Sequence, residues 1–163
     1  MPGDSLRVAL IGFGYWGPNY ARVLRDLSPV ELVLVCDANA ARLAQVSQRY
    51  PGLSTSSSVD DVWRRSDLDA VVIATPASTH RRLVEQALEH GLHVLVEKPM
   101  ALDAAGSDAL CEAASRSNRV LMVGYTFIYN AGIRKMKECM ASSEFGEMYY
   151  LHATRTNLGP IRG

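Results

Sequence analysis

"ALIGFGYWGPNYARVL" (residues 9–24) carries an apolar run into three glycines and on into a segment of helical period. Gly12, Gly14 and Gly17 form the spacing G-x-G-x-x-G, which alone is a common pattern. Here it follows a strand-like run, "LRVALI" (6–11), and opens a helix. A second such run, "ELVLVC" (31–36), ends at Asp37, twenty positions beyond Gly17. Strand, glycine turn, helix, strand and terminal carboxylate at that distance make a dinucleotide-binding unit. In such a unit Gly12 permits the tight turn, Gly14 lets backbone amides approach a pyrophosphate, and Gly17 lets helix and strand pack closely. The helix N-terminus adds aligned N–H groups and a partial positive charge. On this reading the loop of Gly12, Phe13, Gly14, Tyr15, Trp16 and Gly17 cradles the cofactor. The alternative is a glycine turn with no ligand.

Asp37 can accept hydrogen bonds from adenosine ribose hydroxyls, and its charge repels a 2′-phosphate. Ala38 follows, where an NADP site would carry a basic residue, so NAD is the expected cofactor. Arg42, a turn further on, is within possible reach of a phosphate. Capping a helix at 38–50 is a second role open to Asp37, and the two are compatible.

Outward from this unit the rhythm repeats. "DAVVIA" (69–74), "HVLVE" (93–97) and "VLMVG" (120–124) are nearly continuous apolar runs, the pattern of parallel strands covered on both faces. Between the runs lie amphipathic segments. The first offers the stripe Tyr20, Val23, Leu24 and Leu27, and the one near 79–90 offers Leu83, Val84, Ala87 and Leu88 with Gly91 as its cap. Asp103 is the expected N-cap of a helix over 103–117. "STSSS" (54–58) reads as a polar loop, and "SVDDVWRR" as a short helix. Right-handed β-α-β crossovers then give an α/β fold with a doubly wound parallel sheet, a Rossmann fold over residues 1–125.

After Tyr125 the pattern changes. "NAGIRKMKECMASSEFG" reads as a helix presenting Ile133, Met136 and Met140, and "EMYYLHATRTN" (147–157) as a long strand outside any βαβ unit. Residues 126–163 are expected to begin a second α/β domain, left incomplete.

Composition narrows the function classes. Seventeen basic against 17 acidic side chains leave no basic excess for nucleic acid or a membrane surface. The apolar runs are too short to span a bilayer, and "MPGDSLRVALIG" lacks the layout of a signal peptide. Cys36, Cys111 and Cys139 make an odd count without a C-x-x-C pair, which argues against disulfides and zinc. His90 and His93 flank a helix-ending glycine and should not share a face, so no metal is expected. The cytoplasm is the expected compartment.

"HVLVEKPM" (93–100) ends a strand in a carboxylate, an ammonium and a proline. Lys98 stands at the carboxyl end of a central strand, where open α/β sheets bind ligands. An ammonium there can hydrogen-bond a substrate hydroxyl and stabilise alkoxide character as hydride leaves. Read without the glycine motif, it would be a surface lysine beside a turn proline.

With "GFGYWGPNY" (12–20), Asp37, "ATPASTH" (74–80), "HGLHVLVEKPM" (90–100) and "VGYTFIYN" (123–130), the chain resembles the glucose-fructose oxidoreductase/inositol dehydrogenase family, Gfo/Idh/MocA. "GEMYYLHATRTN" resembles the first strand of that family's second domain. The resemblance implies an oxidoreductase moving hydride between NAD and a secondary hydroxyl of a sugar, cyclitol or nucleotide-sugar; a homo-oligomer is expected separately, because a lone strand over 147–157 would seek a partner. It gives Lys98 the substrate-contacting role, with Glu97 and Pro99 shaping the turn near the nicotinamide and a cis Lys98–Pro99 bond. Thr75, Pro76 and His80 would line the nicotinamide-ribose end, although His80 also reads as an exposed first-turn helix residue. Tyr125 and Asn130 are candidates to face substrate. The family's helix-borne acid/base histidine, in the second domain, has no match here, and His152 is not that residue. "TFIYN" and "TRTN" resemble members acting in nucleotide-sugar 3-dehydrogenation. A non-catalytic NAD-binding module remains the alternative, and "EKP" discriminates against a domain that binds S-adenosylmethionine.

Overall fold

The computed structural model describes residues 5–142, 146–154 and 156. The chain divides into two compact units, residues 1–124 and 125–163. In the first unit the expected strands form where the apolar runs predict them: β1 (Leu6–Ile11), β2 (Val30–Cys36), β4 (Ala70–Ile73), β5 (His93–Val96) and β6 (Leu121–Val123). A further strand, β3 (Ser54–Ser56), lies in the stretch expected to be a polar loop. It pairs with Leu34–Cys36 at the edge of the sheet. Ladder hydrogen bonds are made by backbone, so an edge strand with solvent on one side needs no apolar side chains.

All pairs are parallel and the order is β3-β2-β1-β4-β5-β6. The helices are α1 (Gly17–Asp26), α2 (Ala40–Arg49), α3 (Asp60–Trp63), α4 (Ala77–Glu89) and α5 (Ala104–Ser117). The sheet therefore winds outward in both directions from β1 and β4, as the doubly wound reading requires.

Successive strand residues serve opposite faces. Val8, Leu10 and Val72 join one core with Ala21 and Leu24 of α1 and Val46 of α2. Ala9, Ile11, Val71, Ile73, Val94 and Val96 join the other with Leu83, Val84, Ala87 and Leu88 of α4 and Leu110 of α5. In β2 the alternation breaks: Val33 and Leu34 both belong to the second core. The β1–β2 register slips there, Val8 opposing Leu32 and Ala9 opposing Leu34, so Val33 is the extra residue of a bulge.

The α4 stripe is buried as expected, and Gly91 adopts the left-handed φ of +72° beyond its end. Asp103 caps α5 by accepting from the Gly106 N–H at 2.6 Å. In α1 the buried face differs from the expected stripe. Gly17, Ala21 and Leu24 point inward, while Val23 and Leu27 are 42% and 46% exposed. A Cβ at Gly17 would lie 2.5 Å from the Gly12 carbonyl oxygen, so the helix approaches the turn on Gly17 and Ala21, Leu24 continues that face into the core, and Val23 and Leu27 turn outward.

In the second unit a 3₁₀ turn (Thr126–Tyr129) precedes α6 (Ala131–Ala141). The helix forms where expected, but Ile133 and Met136 are 41% and 42% exposed rather than packed. The strand expected over 147–157 does not form among the described residues 146–154 and 156, and positions 155 and 157 lie outside them. An extended segment gains its ladder energy only from a neighbour, and no pairing partner is recorded for it among the described residues.

At the amino end of the sheet Arg7 joins Glu31 at 2.6 Å and Asp67 at 2.8 Å, and Arg65 joins the same Asp67 oxygen at 2.6 Å. The hydrogen bonds from Arg65 and then Arg7 hold the Asp67 carboxyl down at about 2. A carboxylate lowered in the folded state stabilises above its ordinary range and loses that contribution as pH falls toward the folded value. Urea midpoints of the unmutated chain and Asp67→Asn should therefore differ at pH 5 and converge toward pH 2. A core substitution sets the larger scale: Leu10→Ala, at a fully buried position, should cost about 2–5 kcal/mol in urea unfolding. Leu102→Ala, at a residue 70% exposed, should stay within about 0.5 kcal/mol.

Candidate functional site

Because every strand of the sheet is parallel, the carboxyl ends of β1, β2, β4, β5 and β6 lie on one edge. Strand order reverses between β1 and β4, and a crevice opens at that point in such sheets. Five segments of interest emerge there: the glycine loop, Asp37, Thr75–Pro76, Glu97–Lys98 and Gly124.

The three glycines differ physically. Gly12 has φ +98°, and a Cβ there would meet the Ala74 carbonyl oxygen at 2.6 Å, so the turn leaves β1 pressed against the end of β4. Gly17 closes the other side of the loop against Gly12 itself. At Gly14 the nearest atom to an added Cβ is Arg42 Nη1 at 3.7 Å, an ordinary contact with the end of a flexible side chain, so protein backbone does not crowd this position. Gly14 is thus where a ligand backbone can come close, and the cradle fits a pyrophosphate. Phe13 is buried in the core, Tyr15 and Trp16 are exposed, and the last two meet edge to face at 5.7 Å. Trp16 is the N-cap of α1, with Pro18 in the first turn, and the first N–H groups of a helix have no acceptor within it.

Asp37 is buried, with its side chain spanning the loop and β2. Its Oδ2 accepts from the Phe13 N–H at 2.6 Å, and its Oδ1 from the Asn39 N–H at 2.8 Å. It is not the α2 cap: Asn39 holds that position, accepting from Ala41 N and Arg42 N. Arg42 Nη1 stands 3.4 Å from Asp37 Oδ2. Next to Asp37, burial first and then the Asp37 and Asp61 charges push the Cys36 thiol up to about 11, which makes it an inert core group.

On the other side of the crevice, His80 is 1% exposed, which excludes the expected alternative of a solvated helix residue. Nδ1 lies 2.7 Å from the Pro99 carbonyl and Nε2 2.9 Å from the Thr75 carbonyl. Both ring nitrogens are engaged by backbone, so the ring ties the Thr75 turn to the Lys98–Pro99 turn instead of offering an edge to a ligand. Thr75 Oγ1 shares a hydrogen bond with Thr79 Oγ1 at 2.7 Å, and Pro76 is exposed at the N-cap of α4.

Glu97 is buried and held from two directions. Tyr20 Oη donates to its Oε1 at 2.7 Å, and its Oε2 accepts from the Lys98 N–H at 3.2 Å. Burial first, then the Glu97 carboxylate, push the Tyr20 hydroxyl well above its ordinary value, which keeps it a donor. Lys98 follows with an exposed side chain, and its bond to Pro99 is cis. Among the described residues no carboxylate forms an ion pair with it. A Cβ at Gly124 would lie 3.1 Å from Tyr20 Oη and 3.2 Å from Glu97 Oε1. The sequence reading missed this trio, taking Tyr20 for a stripe residue and Gly124 for a strand end. The hydroxyl on an apolar stripe was the available signal.

Tyr125 and Asn130 belong to the second unit. Tyr125 is 50% exposed, and Asn130 Oδ1 caps α6, accepting from Ile133 N at 3.1 Å. Among the described residues no cluster of three or more His, Cys, Asp or Glu could hold a metal ion, and no helix is long and apolar enough to cross a membrane.

Comparison with known proteins supplies a wider frame. Inositol 2-dehydrogenase 3 of Saccharopolyspora erythraea is 35% identical over 155 residues, 94% of this chain and 46% of that protein. The 2,7-anhydro-N-acetylneuraminate hydratase of Mediterraneibacter gnavus is 28% identical over 148 residues, 90% of this chain and 38% of its own length. The solved structure of GenD2 from gentamicin A biosynthesis, in complex with NAD, superposes with a TM-score of 0.82 at 30% identity, covering 88% of this chain and 41% of that one. The chain thus spans about half the length, or less, of the relatives it matches. The family model described as "Oxidoreductase family, NAD-binding Rossmann fold" matches residues 6–125, from β1 to the start of the second unit, and the chain belongs to that family, GFO_IDH_MocA.

Proposed function

We propose that the chain is the NAD-binding part of an oxidoreductase acting on a secondary hydroxyl of a sugar, cyclitol or nucleotide-sugar, with Lys98 as its catalytic residue. The observation that carries the reading is the placement of an exposed Lys98 at the carboxyl end of β5, on the edge shared with the glycine loop and Asp37. Bound along that edge, NAD supplies the hydride acceptor. The pyrophosphate sits over Gly14, among the loop N–H groups and the first turn of α1. Thr75 and Pro76 border the nicotinamide side, and His80 contributes by holding their turn against that of Pro99.

Lys98 would hydrogen-bond the substrate hydroxyl and steady negative charge on that oxygen as its proton passes to a general base and the hydride to NAD. Glu97 does not touch substrate in this reading. With Tyr20 it fixes the peptide from which the Lys98 side chain projects. Tyr125 and Asn130 are further candidates to contact substrate. The whole protein is a cytoplasmic homo-oligomer. The dehydrogenase names among the relatives support the redox reaction.

This division of roles has a direct consequence. The 163-residue chain should bind NAD in a calorimetric titration yet give no detectable NADH across a panel of sugars and nucleotide-sugars. A missing general acid/base alone costs about two to four powers of ten in rate. Robust turnover by this chain, abolished in Lys98→Ala, would show that no further domain is needed.

Tyr20→Phe tests the support beneath Lys98. It leaves a buried Glu97 oxygen without its donor, and urea unfolding should show a loss of about 1–3 kcal/mol. NAD affinity should change little, since the phenol bonds Glu97 rather than the loop.

A further inference from the structure

We propose that Gly124 is a positioning residue for Lys98: the Tyr20 hydroxyl and the Glu97 carboxylate meet against the space its missing side chain leaves, and a methyl there would turn the carboxylate off the Lys98 N–H. The inference rests on the reading of Lys98 as the residue that meets substrate. It deepens that reading by naming a residue that acts on the lysine only through Glu97.

Space, rather than backbone conformation, is what this position asks of a glycine. Gly124 lacks the positive φ found at Gly12, Gly52, Gly91 and Gly146, so its backbone suits an L residue. A Cβ built on it would lie 3.1 Å from Tyr20 Oη, 3.2 Å from Glu97 Oε1 and 3.4 Å from Glu97 Cδ. The two oxygen contacts are tight, and a neighbour must give by a few tenths of an ångström.

The neighbours differ in how far they can yield. Gly124 is pinned at the end of β6, its N–H donating to the Val96 carbonyl at 2.9 Å, and Val123 before it opposes Val96 in the ladder. Tyr20 stands in the first turns of α1, whose approach is set where Gly17 meets the Gly12 carbonyl, and its ring packs against the core on that face. The Glu97 backbone is fixed as well, its N–H donating to the Ile73 carbonyl at 2.9 Å. What remains free to turn is the Glu97 carboxylate. Its oxygens carry different duties: Oε1 accepts from Tyr20 Oη at 2.7 Å, and Oε2 from the Lys98 N–H at 3.2 Å. A rotation that takes Oε1 away from the methyl also takes Oε2 off the Lys98 peptide. The 3.2 Å bond is the longer of the two and yields first.

Hydrogen exchange of individual amides, followed by NMR on the 163-residue chain, tests this. In Gly124→Ala the Lys98 amide should exchange about fivefold to tenfold faster, the change expected for loss of one hydrogen bond. The Phe13 amide, which donates to Asp37, should change by less than about twofold, because its tie lies elsewhere in the unit. Tyr20→Phe removes the atom nearest the new methyl, so in that background Gly124→Ala should accelerate the Lys98 amide far less. An unchanged Lys98 amide in Gly124→Ala, equal acceleration at Lys98 and Phe13, or the same effect with and without the Tyr20 hydroxyl would overturn the proposal. A Gly124→Ala chain that does not fold would overturn it too, since the glycine would then serve the fold rather than the lysine turn. None of these readouts involves turnover. The proposal can therefore fail while the catalytic role of Lys98 stands, and that role can fail while the exchange result holds.

Discussion

The contact between the Gly17 position of α1 and the Gly12 carbonyl governs the rest of the first unit. With a Cβ fitting only at 2.5 Å, helix and turn are in backbone contact. That closeness directs the helix N-terminus at the space above Gly14, and it decides which face of α1 is buried. Gly12 makes the matching approach on its other side, to Ala74 at the end of β4. The loop is thus wedged between its own helix and the neighbouring strand. A side chain at either glycine would move the cradle before it changed anything else.

Two polar ties then fix what surrounds this wedge. Asp37 holds the loop through the Phe13 N–H, and Glu97 holds the approach to Lys98 through Tyr20. Both carboxylates are buried, and both are compensated by donors from other elements, the condition under which such groups are tolerated. Tyr20 comes from the same helix that opens at the glycine loop, so one helix links that loop to Glu97. His80 adds a third tie, from the Thr75 turn to Pro99. The residues expected to touch ligand are few, and much of the edge consists of groups that hold them in place.

The glycine spacing, the strand before it and Asp37 were readable because they are local: each duty belongs to a short segment with its own steric or electrostatic requirement. Lys98 was readable from its place after a strand, and the α4 stripe from its period. The polar strand β3 was not, because an edge strand is chosen by its neighbour's backbone. The buried face of α1 was misread for a related reason. Apolar size predicted Val23 and Leu27 inside, whereas the needed closeness selected Gly17 and Ala21. Over 147–157 the alternation suggested a strand, but a strand exists only with a partner.

By itself, then, the sequence determined the five apolar strands and the main helices of the first unit, the parallel sheet, the glycine turn and the positions of Asp37 and Lys98, since these follow from periodicity, glycine stereochemistry and strand ends. The tertiary structure alone decided which polar groups meet across elements distant in sequence: Tyr20 with Glu97, Gly124 over that pair, His80 between two carbonyls, and Arg42 above Gly14. Such meetings depend on the distance between packed layers and on helix rotation to within an ångström or so. No pattern of residue types in a linear chain encodes that distance directly.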